Sequence, residues 1–459
     1  MTDGVSTRPD PAVRRWRLAV FAVYLAAGLA ISAWLTRLPA ISERLELGPA
    51  ALGALLLTQT VAAFASVSTS GITVLRLGAR RSLLVTALAV FTGLVVLGIG
   101  VSVLGSVTVT AIGMLLFGLG SATSNVAANV EGAALENALG RSIMPLMHGF
   151  FSIGTVLGAV IGSIATAAQV PVGWHVGAVA VVILVLMLVA LPRLLGETRT
   201  ATSGSRADLH PVSAQIPVIT GTLPRIDPDA DRDADPWAGA SGVDSDSRPA
   251  PERSDGPASV GAAWRDPRTV LVGLFVLGMA LTEGAANDWV ALAITDGYSA
   301  PAYLGAVGYG IFVAAMTTGR LSGTWLIDRF GRLAVLRTAC LLALAGLGVF
   351  VVSPWLPLGM AALFLWGLGA SLGFPVGMSA AADDPQRAAA NVSVVSTIGY
   401  GAFLGGPPLL GLLGEWVGVR SALGFVMIFV VVSLLLVSRL RPLDTSVSGS
   451  AQGPSGAAG

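Results

Sequence analysis

Several side chains in this sequence would carry chemistry if they sat where water is scarce. Glu283 stands in an apolar run that begins near Thr269, with Asn287 one helical turn further on the same face and Asp288 beside it. A carboxylate in hydrocarbon costs several kcal/mol, so one that persists there is a functional candidate by default. Glu283 is the candidate for taking up and releasing a proton, with a packing hydrogen bond as the plainer account; Asp288, next to Trp289, reads as an interfacial anchor. Arg320 shares a helical face with Tyr309, Phe312 and Met316. It would offer a guanidinium to an anionic group on a ligand, or snorkel to the nearest interface, as Arg37 is expected to do. Ser121, Asn125 and Asn129 recur at every fourth position, a stripe able to read hydroxyl groups or to bridge helices. Gln59 and Thr60 add donors and acceptors. His148 lines one face with Ser152 and Thr155, either sensing pH or making a structural hydrogen bond. Tyr400, on a face with Ser393 and Ser396, suits stacking on a ring, and Trp366 and Phe374 offer the same.

These residues need elements that hold them in an apolar medium, and the composition supplies that medium. Of 459 residues, 54% are hydrophobic and 12% charged, about half the charge of an ordinary soluble domain. The net charge of +1 argues against a nucleic-acid partner. All 27 basic residues are arginine; without a lysine there is no Walker A loop, so the chain carries no P-loop ATPase of its own. Cys340 is the single cysteine, which excludes an internal disulfide. Three histidines and one thiol argue against a metal site, and no cofactor or catalytic residue is expected.

Apolar stretches of about 20 residues, the length that crosses ~30 Å of hydrocarbon, begin near Leu18, Ala50, Leu83, Val107, Met144, Val172, Thr269, Tyr303, Ala334, Trp355, Asn391 and Val419. The fold class that follows is an all-α membrane protein of twelve spans. Eighteen arginines flank one set of span ends and three (Arg37, Arg44, Arg420) the other. Positive loops stay inside, which places both termini in the cytoplasm of a multi-pass cell-membrane protein. The expected organisation is a tail over 1–17, a six-helix half over 18–195, a disordered cytoplasmic linker over 196–266, a second half over 267–441 and a disordered tail over 442–459. The alternate aspartates from Asp227 to Asp235 lack the glycine and closing glutamate of a calcium loop.

The halves repeat one another. Arg76 and Gly78 match Arg329 and Gly331 at an offset of 253, Gly118-Leu119-Gly120 matches Gly367-Leu368-Gly369 at 249, and Ile153-Gly154 matches Ile398-Gly399 at 245. Two six-helix bundles in parallel orientation follow, with a cleft between them at mid-membrane. The stretch Asp328-Arg329-Phe330-Gly331-Arg332 resembles the loop signature of the major facilitator superfamily. Arg76, Gly78 and Arg80 occupy the matching first-half loop, with Leu75 where the family has its Asp. That resemblance implies a gating loop whose carboxylate faces a neighbouring helix N-terminus during alternating access. Asn125 to Asn129, with Leu38-Pro39, is similar to the fucose-permease-like branch. That branch's acidic residues are replaced here by Asn125 and Leu35, so its proton-coupling residues are not carried over.

The expected activity is secondary transport of a small-molecule substrate across the lipid bilayer by alternating access, with protons as a further partner through Glu283 and a monomer as the working unit. Sugars, organic acids and drugs all remain open as substrates. An exporter of amphiphilic compounds is the alternative within transport. A non-transporting sensor or a lipid-linked transferase would belong to other classes, and the loops hold no cluster suited to the latter.

Overall fold

A computed structural model of the chain describes residues 11–139, 143–195, 260–384 and 387–442. Among the described residues, twelve helices are long and apolar enough to cross a membrane: Pro11–Arg44, Pro49–Leu77, Ala79–Leu104, Val107–Leu139, Leu146–Ala167, Val172–Arg193, Pro267–Gly297, Ala302–Phe330, Arg332–Val352, Leu356–Ala381, Ala388–Val417 and Val419–Leu440, hereafter spans 1 to 12. Their starts lie close to the expected ones because hydrocarbon thickness sets the length of an apolar run. The first departs most. It begins at Pro11, so Trp16 and Arg17, expected in a tail, belong to the helix, and Trp16 is fully buried. At the end of the expected linker, Val260–Arg265 is a short helix and Asp266 caps the next one; 196–259, with the aspartate run, and all but Pro442 of the expected C-terminal tail lie outside the described residues.

Helix boundaries follow local chemistry. Span 7 starts where Asp266 accepts hydrogen bonds from the amides of Arg268 and Thr269, with Pro267 at the first helical position, where its missing N–H costs nothing. Spans 2 and 3 join at Gly78 (φ 79°, ψ 161°), spans 8 and 9 at Gly331 (φ 81°, ψ 152°). Only glycine occupies that region cheaply. The repeat seen in the sequence thus reappears as backbone geometry.

It reappears in packing as well. A Cβ on Gly93 of span 3 would lie 2.6 Å from the amide nitrogen of Phe117, and one on Gly346 of span 9 would lie 2.4 Å from that of Trp366. The span 3–4 and span 9–10 contacts are therefore the same backbone-to-backbone approach, copied at offsets of 253 and 249 and possible only without side chains.

The two bundles meet along spans 2 and 11 and along spans 5 and 8. Both described chain ends lie at one face of the bundle; the opposite face is called distal here. Near the distal face the halves touch backbone to backbone: a Cβ on Gly53 would sit 2.5 Å from the Pro407 carbonyl, and one on Gly411 2.5 Å from the Pro49 carbonyl. Glu415, at the distal end of span 11, accepts a hydrogen bond from the Ala50 amide across the same seam (3.2 Å). Toward the terminal face the nearest neighbours of Gly399 and Gly401 belong to their own half, Val276, Phe374 and Leu277. The bundles are closed against each other at the distal end of this seam, and along spans 5 and 8 a Cβ on Gly149 would lie 3.8 Å from the Leu321 side chain.

Prolines stand inside two spans, where a missing N–H and a crowding ring can break a helix. Span 11 stays helical through Pro407 and Pro408. Span 10 breaks at Ser371 and Leu372, between Leu356–Ala370 and Gly373–Ala381. Pro375 has no N–H to give the carbonyl four residues earlier, and its ring crowds that carbonyl; the residue four earlier is Ser371.

Candidate functional site

Span 7 carries Glu283 near its middle, roughly 24 Å from Pro267 and 21 Å from Gly297 at 1.5 Å per residue. The span runs antiparallel to span 8, which brings Arg320 alongside. One terminal nitrogen of Arg320, Nη2, donates to both oxygens of Glu283, at 2.9 Å to Oε1 and 2.8 Å to Oε2. The side chains are 15% and 16% exposed. Glu283 is therefore not a lone charge, and Arg320 does not snorkel: each satisfies the other in the interior, where either alone would cost about 3 kcal/mol. Arg320 Nε also points at the Ser371 carbonyl (3.4 Å), the one that Pro375 deprives of its helical partner. The break in span 10 thus supplies an acceptor that fixes the guanidinium.

Facing this pair from the first half is His148 on span 5, close enough for the Arg320 charge to act on it. The ring of His148 meets that of Tyr24 edge to face at 5.3 Å. The Tyr24 hydroxyl donates to Asn129 Oδ1 at 2.6 Å, and Asn129 Nδ2 donates to Asn125 Oδ1 at 2.7 Å. Asn125, Asn129 and His148 are thereby joined into one polar wall, with exposed Asn125 at its free end. Tyr24 is the member that sequence reasoning missed; its place on span 1 shows nothing until span 1 packs on spans 4 and 5.

Toward the distal face, Tyr309 is buried, faces Ser32 of span 1 and lies in the field of both Asp288 and Glu283. Asp288 is not the interfacial anchor it was expected to be. It lies about 14 Å inside the distal end of span 7, half-buried, beside a Trp289 that is fully enclosed. Asn287 is also half-buried. Tyr400 packs between Phe374 and Phe403, with ring centroids 6.3 and 6.1 Å away. Phe403 in turn covers Gly284, one residue beyond Glu283. Gln59 is half-buried on span 2, its carbonyl oxygen 3.5 Å from the Thr60 hydroxyl. Among the described residues no hydrogen bond joins it to the charged pair. Trp366 packs in the core, edge to face with Phe312 and tilted against Phe350, and is fully buried.

Arg37 does not snorkel either. It is 4% exposed, and its guanidinium donates to the Thr166 hydroxyl (2.9 Å) and the Val170 carbonyl (2.5 Å) at the distal end of the first half. Arg420 plays the corresponding part in the second half, donating to the carbonyls of Val351, Gly297 and Ser353 and lying 4.2 Å over the Tyr298 ring. Further acids went unnoticed in the sequence because span 4 runs 33 residues, well beyond its apolar part. Glu131, 2% exposed, accepts from Trp16 Nε1 at 2.9 Å, and Glu136 caps the next helix through the Ile143 and Met144 amides.

The gating loop is arranged differently from the expectation. Asp328 and Arg329 are exposed, and among the described residues neither side chain makes a hydrogen bond or ion pair. Arg332 carries the contact: its two terminal nitrogens grip Asp383 just past span 10, at 2.7 and 3.0 Å, and Arg268 joins at 3.2 Å. Arg76 and Arg80 are exposed in the first half, where Leu75 and Ala79 stand at the positions of Asp328 and Arg332.

The sequence profile of the Major Facilitator Superfamily matches residues 18–405 and 323–456. The chain belongs to this superfamily. An uncharacterized transporter of Sinorhizobium fredii is 28% identical over 93% of this chain and 98% of its own length. A membrane protein of Rhizobium meliloti, MosC, is 25% identical over 92% of this chain and 89% of its own. Among solved structures, the nucleoside transporter NupG superposes with a TM-score of 0.64 at 15% identity, covering 94% of this chain and 98% of that one. The fucose:proton symporter FucP of E. coli superposes at 0.55 and 15%, covering 92% and 98%. At such identities the likeness establishes the fold alone, two six-helix bundles; the membership in a superfamily of multi-pass membrane transporters comes from the profile.

Proposed function

We propose that this superfamily member carries a small polar solute by alternating access, binding it between the bundles at the level of Glu283 and Arg320. The observation that carries the reading is that ion pair: two charges at mid-membrane, reachable by solvent, facing a polar wall built from the other half. A structural pair would be better replaced by packed apolar side chains, since burying two charges rarely gains stability. The seam of spans 2 and 11 is closed at its distal end, and the eighteen arginines flanking the other span ends support reading that closed end as the one away from the cytoplasm.

Proton coupling at Glu283 belongs to the same proposal. Protonating Glu283 releases Arg320 and removes the reason for spans 7 and 8 to hold their present register, which links a proton to a helix movement. Once a ligand-stabilisation screen at two pH values has found a solute, reconstituted vesicles test the step. Glu283→Gln is expected to abolish uptake driven by a pH gradient while sparing solute exchange. Unchanged driven uptake would remove Glu283 from the coupling, and absence of both flux and exchange in the parent protein would remove transport of that solute.

A further inference from the structure

Counting charges in the cleft narrows the solute. Glu283 and Arg320 cancel each other. Asp288 is the carboxylate left over: among the described residues no hydrogen bond or ion pair reaches it. The neighbouring elements offer no spare cation. On span 8, Arg320 is engaged with Glu283, and Tyr309 is a neutral phenol; on span 1, Arg37 is held by Thr166 and Val170; on span 12, Arg420 is held by three carbonyls; span 11 contributes Tyr400 at mid-depth. His148 lies on span 5, on the Arg320 side of the cleft.

An anionic solute has one guanidinium to bind, and taking it strands Glu283 beside an Asp288 already without a partner. Two unpaired carboxylates in hydrocarbon are costly. A cationic solute meets the reverse situation, since its charge completes the one left open. The surroundings of Asp288 suit an organic ammonium group in particular. Asp288 shares a face of span 7 with Gly284, one turn away, and the ring of Phe403 lies against Gly284 with Tyr400 and Phe374 behind it. Carboxylate beside aromatic faces is the combination that holds alkylammonium ions. Above this site, between the turn after span 1 and the end of span 7, the distal face carries a depression of about 480 Å3 that includes Glu43, Glu46 and Asp296 and no basic residue. Such a vestibule raises the local concentration of cations and repels anions.

We infer that the cleft takes organic cations, an ammonium group pairing with Asp288 and the attached carbon skeleton lying on Phe403 and Tyr400. This rests on the reading of the cleft as the solute site and names its ligand class. The test compares three probes of one shape on the purified full chain in detergent: phenethylammonium, 2-phenylethanol and 3-phenylpropanoate, each up to 10 mM, read by thermal unfolding. Phenethylammonium is expected to raise the unfolding temperature saturably and the other two to leave it unchanged. Asp288→Asn is expected to weaken the half-saturating concentration about tenfold to a hundredfold, the loss of one charge-assisted contact. Its own unfolding temperature without probe should stay level or rise, because an unpartnered charge has been removed. A structural carboxylate would instead lower it. Tyr400→Ala, which leaves every charge in place, is expected to weaken the ammonium probe severalfold.

Stabilisation by the carboxylate or the alcohol rather than the amine overturns the class, as does a lack of response to all three probes. An ammonium effect that Asp288→Asn leaves intact overturns the site. Vesicle counterflow separates this from transport itself: a probe that stabilises without being carried supports the ligand class and removes the transport reading, whereas flux of a neutral or anionic solute does the opposite.

Discussion

Removing both members of the Glu283–Arg320 pair should cost less than the sum of removing each alone. With Arg320→Gln, Glu283 keeps its charge but loses both short contacts; with Glu283→Gln, the guanidinium keeps only the 3.4 Å contact to Ser371. Breaking a fully buried pair costs about 3–5 kcal/mol, chiefly because the survivor is a buried, unpaired charge. The two side chains here retain 15% and 16% of their exposure, so water relieves part of that, and about 2–4 kcal/mol per single substitution is the expected range. The double variant Glu283→Gln/Arg320→Gln leaves two neutral amides of similar size, free to bond each other. Its cost should fall short of the summed single costs by a coupling of about 1.5–3 kcal/mol. Reversible unfolding in mixed detergent and dodecyl sulfate micelles measures all four corners of the cycle. Additive singles, within about 0.5 kcal/mol, would mean that the contact seen between these side chains carries no energy, and the argument that each is present because of the other would fail.

Gly331→Ala should destabilise by about 1–3 kcal/mol, although a Cβ there meets nothing within 4 Å, because the cost is wholly in the backbone conformation; a cost below 0.5 kcal/mol in the same micelle assay contradicts the assigned turn. Burial alone would raise the Asp266 carboxyl, yet bonds from the Thr269 hydroxyl and amide and the Arg268 amide, with Arg387 nearby, outweigh it and hold the group below the usual range. A lowered folded value means stability that is present above about pH 4 and lost as pH falls through the folded value. Asp266→Ala should therefore cost about 1 kcal/mol at pH 7, with the gap closing in acid; a gap independent of pH excludes the cap. Glu415 closes the distal seam onto the N-terminus of span 2, so Glu415→Ala should raise the labelling rate of a cysteine placed at Thr295 severalfold, and unchanged labelling would show that the seam is held by backbone packing alone.

The twelve spans and their repeat were legible because both rest on period and length, which a one-dimensional string preserves. What the string hides is where two helices face each other. Glu283 and Arg320 were each singled out for a charge in an apolar run, but 37 residues of chain separate them, and only the antiparallel packing of spans 7 and 8 makes them one group. Asp288 was placed at an interface for a related reason. An apolar run ends where polar residues begin, whereas a helix lining a cleft continues through them: span 7 extends nine residues beyond Asp288, and span 4 eight beyond Glu131. The break in span 10 was legible in part, since Pro375 is visible; its consequence falls on Ser371, by the hydrogen-bond spacing of the helix, and only the fold shows that Arg320 uses the freed carbonyl.

The repeat also shows where the halves diverged. Glycines at offsets of 253 and 249 keep the same backbone approaches, so the packing of spans 3 and 4 is the packing of spans 9 and 10. The charges are not copied. Arg332 and its grip on Asp383 correspond to Ala79 in the first half, and Asp328 to Leu75. The mid-membrane ion pair and the open carboxylate are likewise confined to spans 7 and 8, while the first half answers with amides, a phenol and an imidazole. Backbone packing sets how the bundles can rock, and either half could supply it; charge sets what they rock around, and that was concentrated in one. A second half with these charges neutralised should still fold into the same bundle, with neither a preferred solute nor a coupled proton.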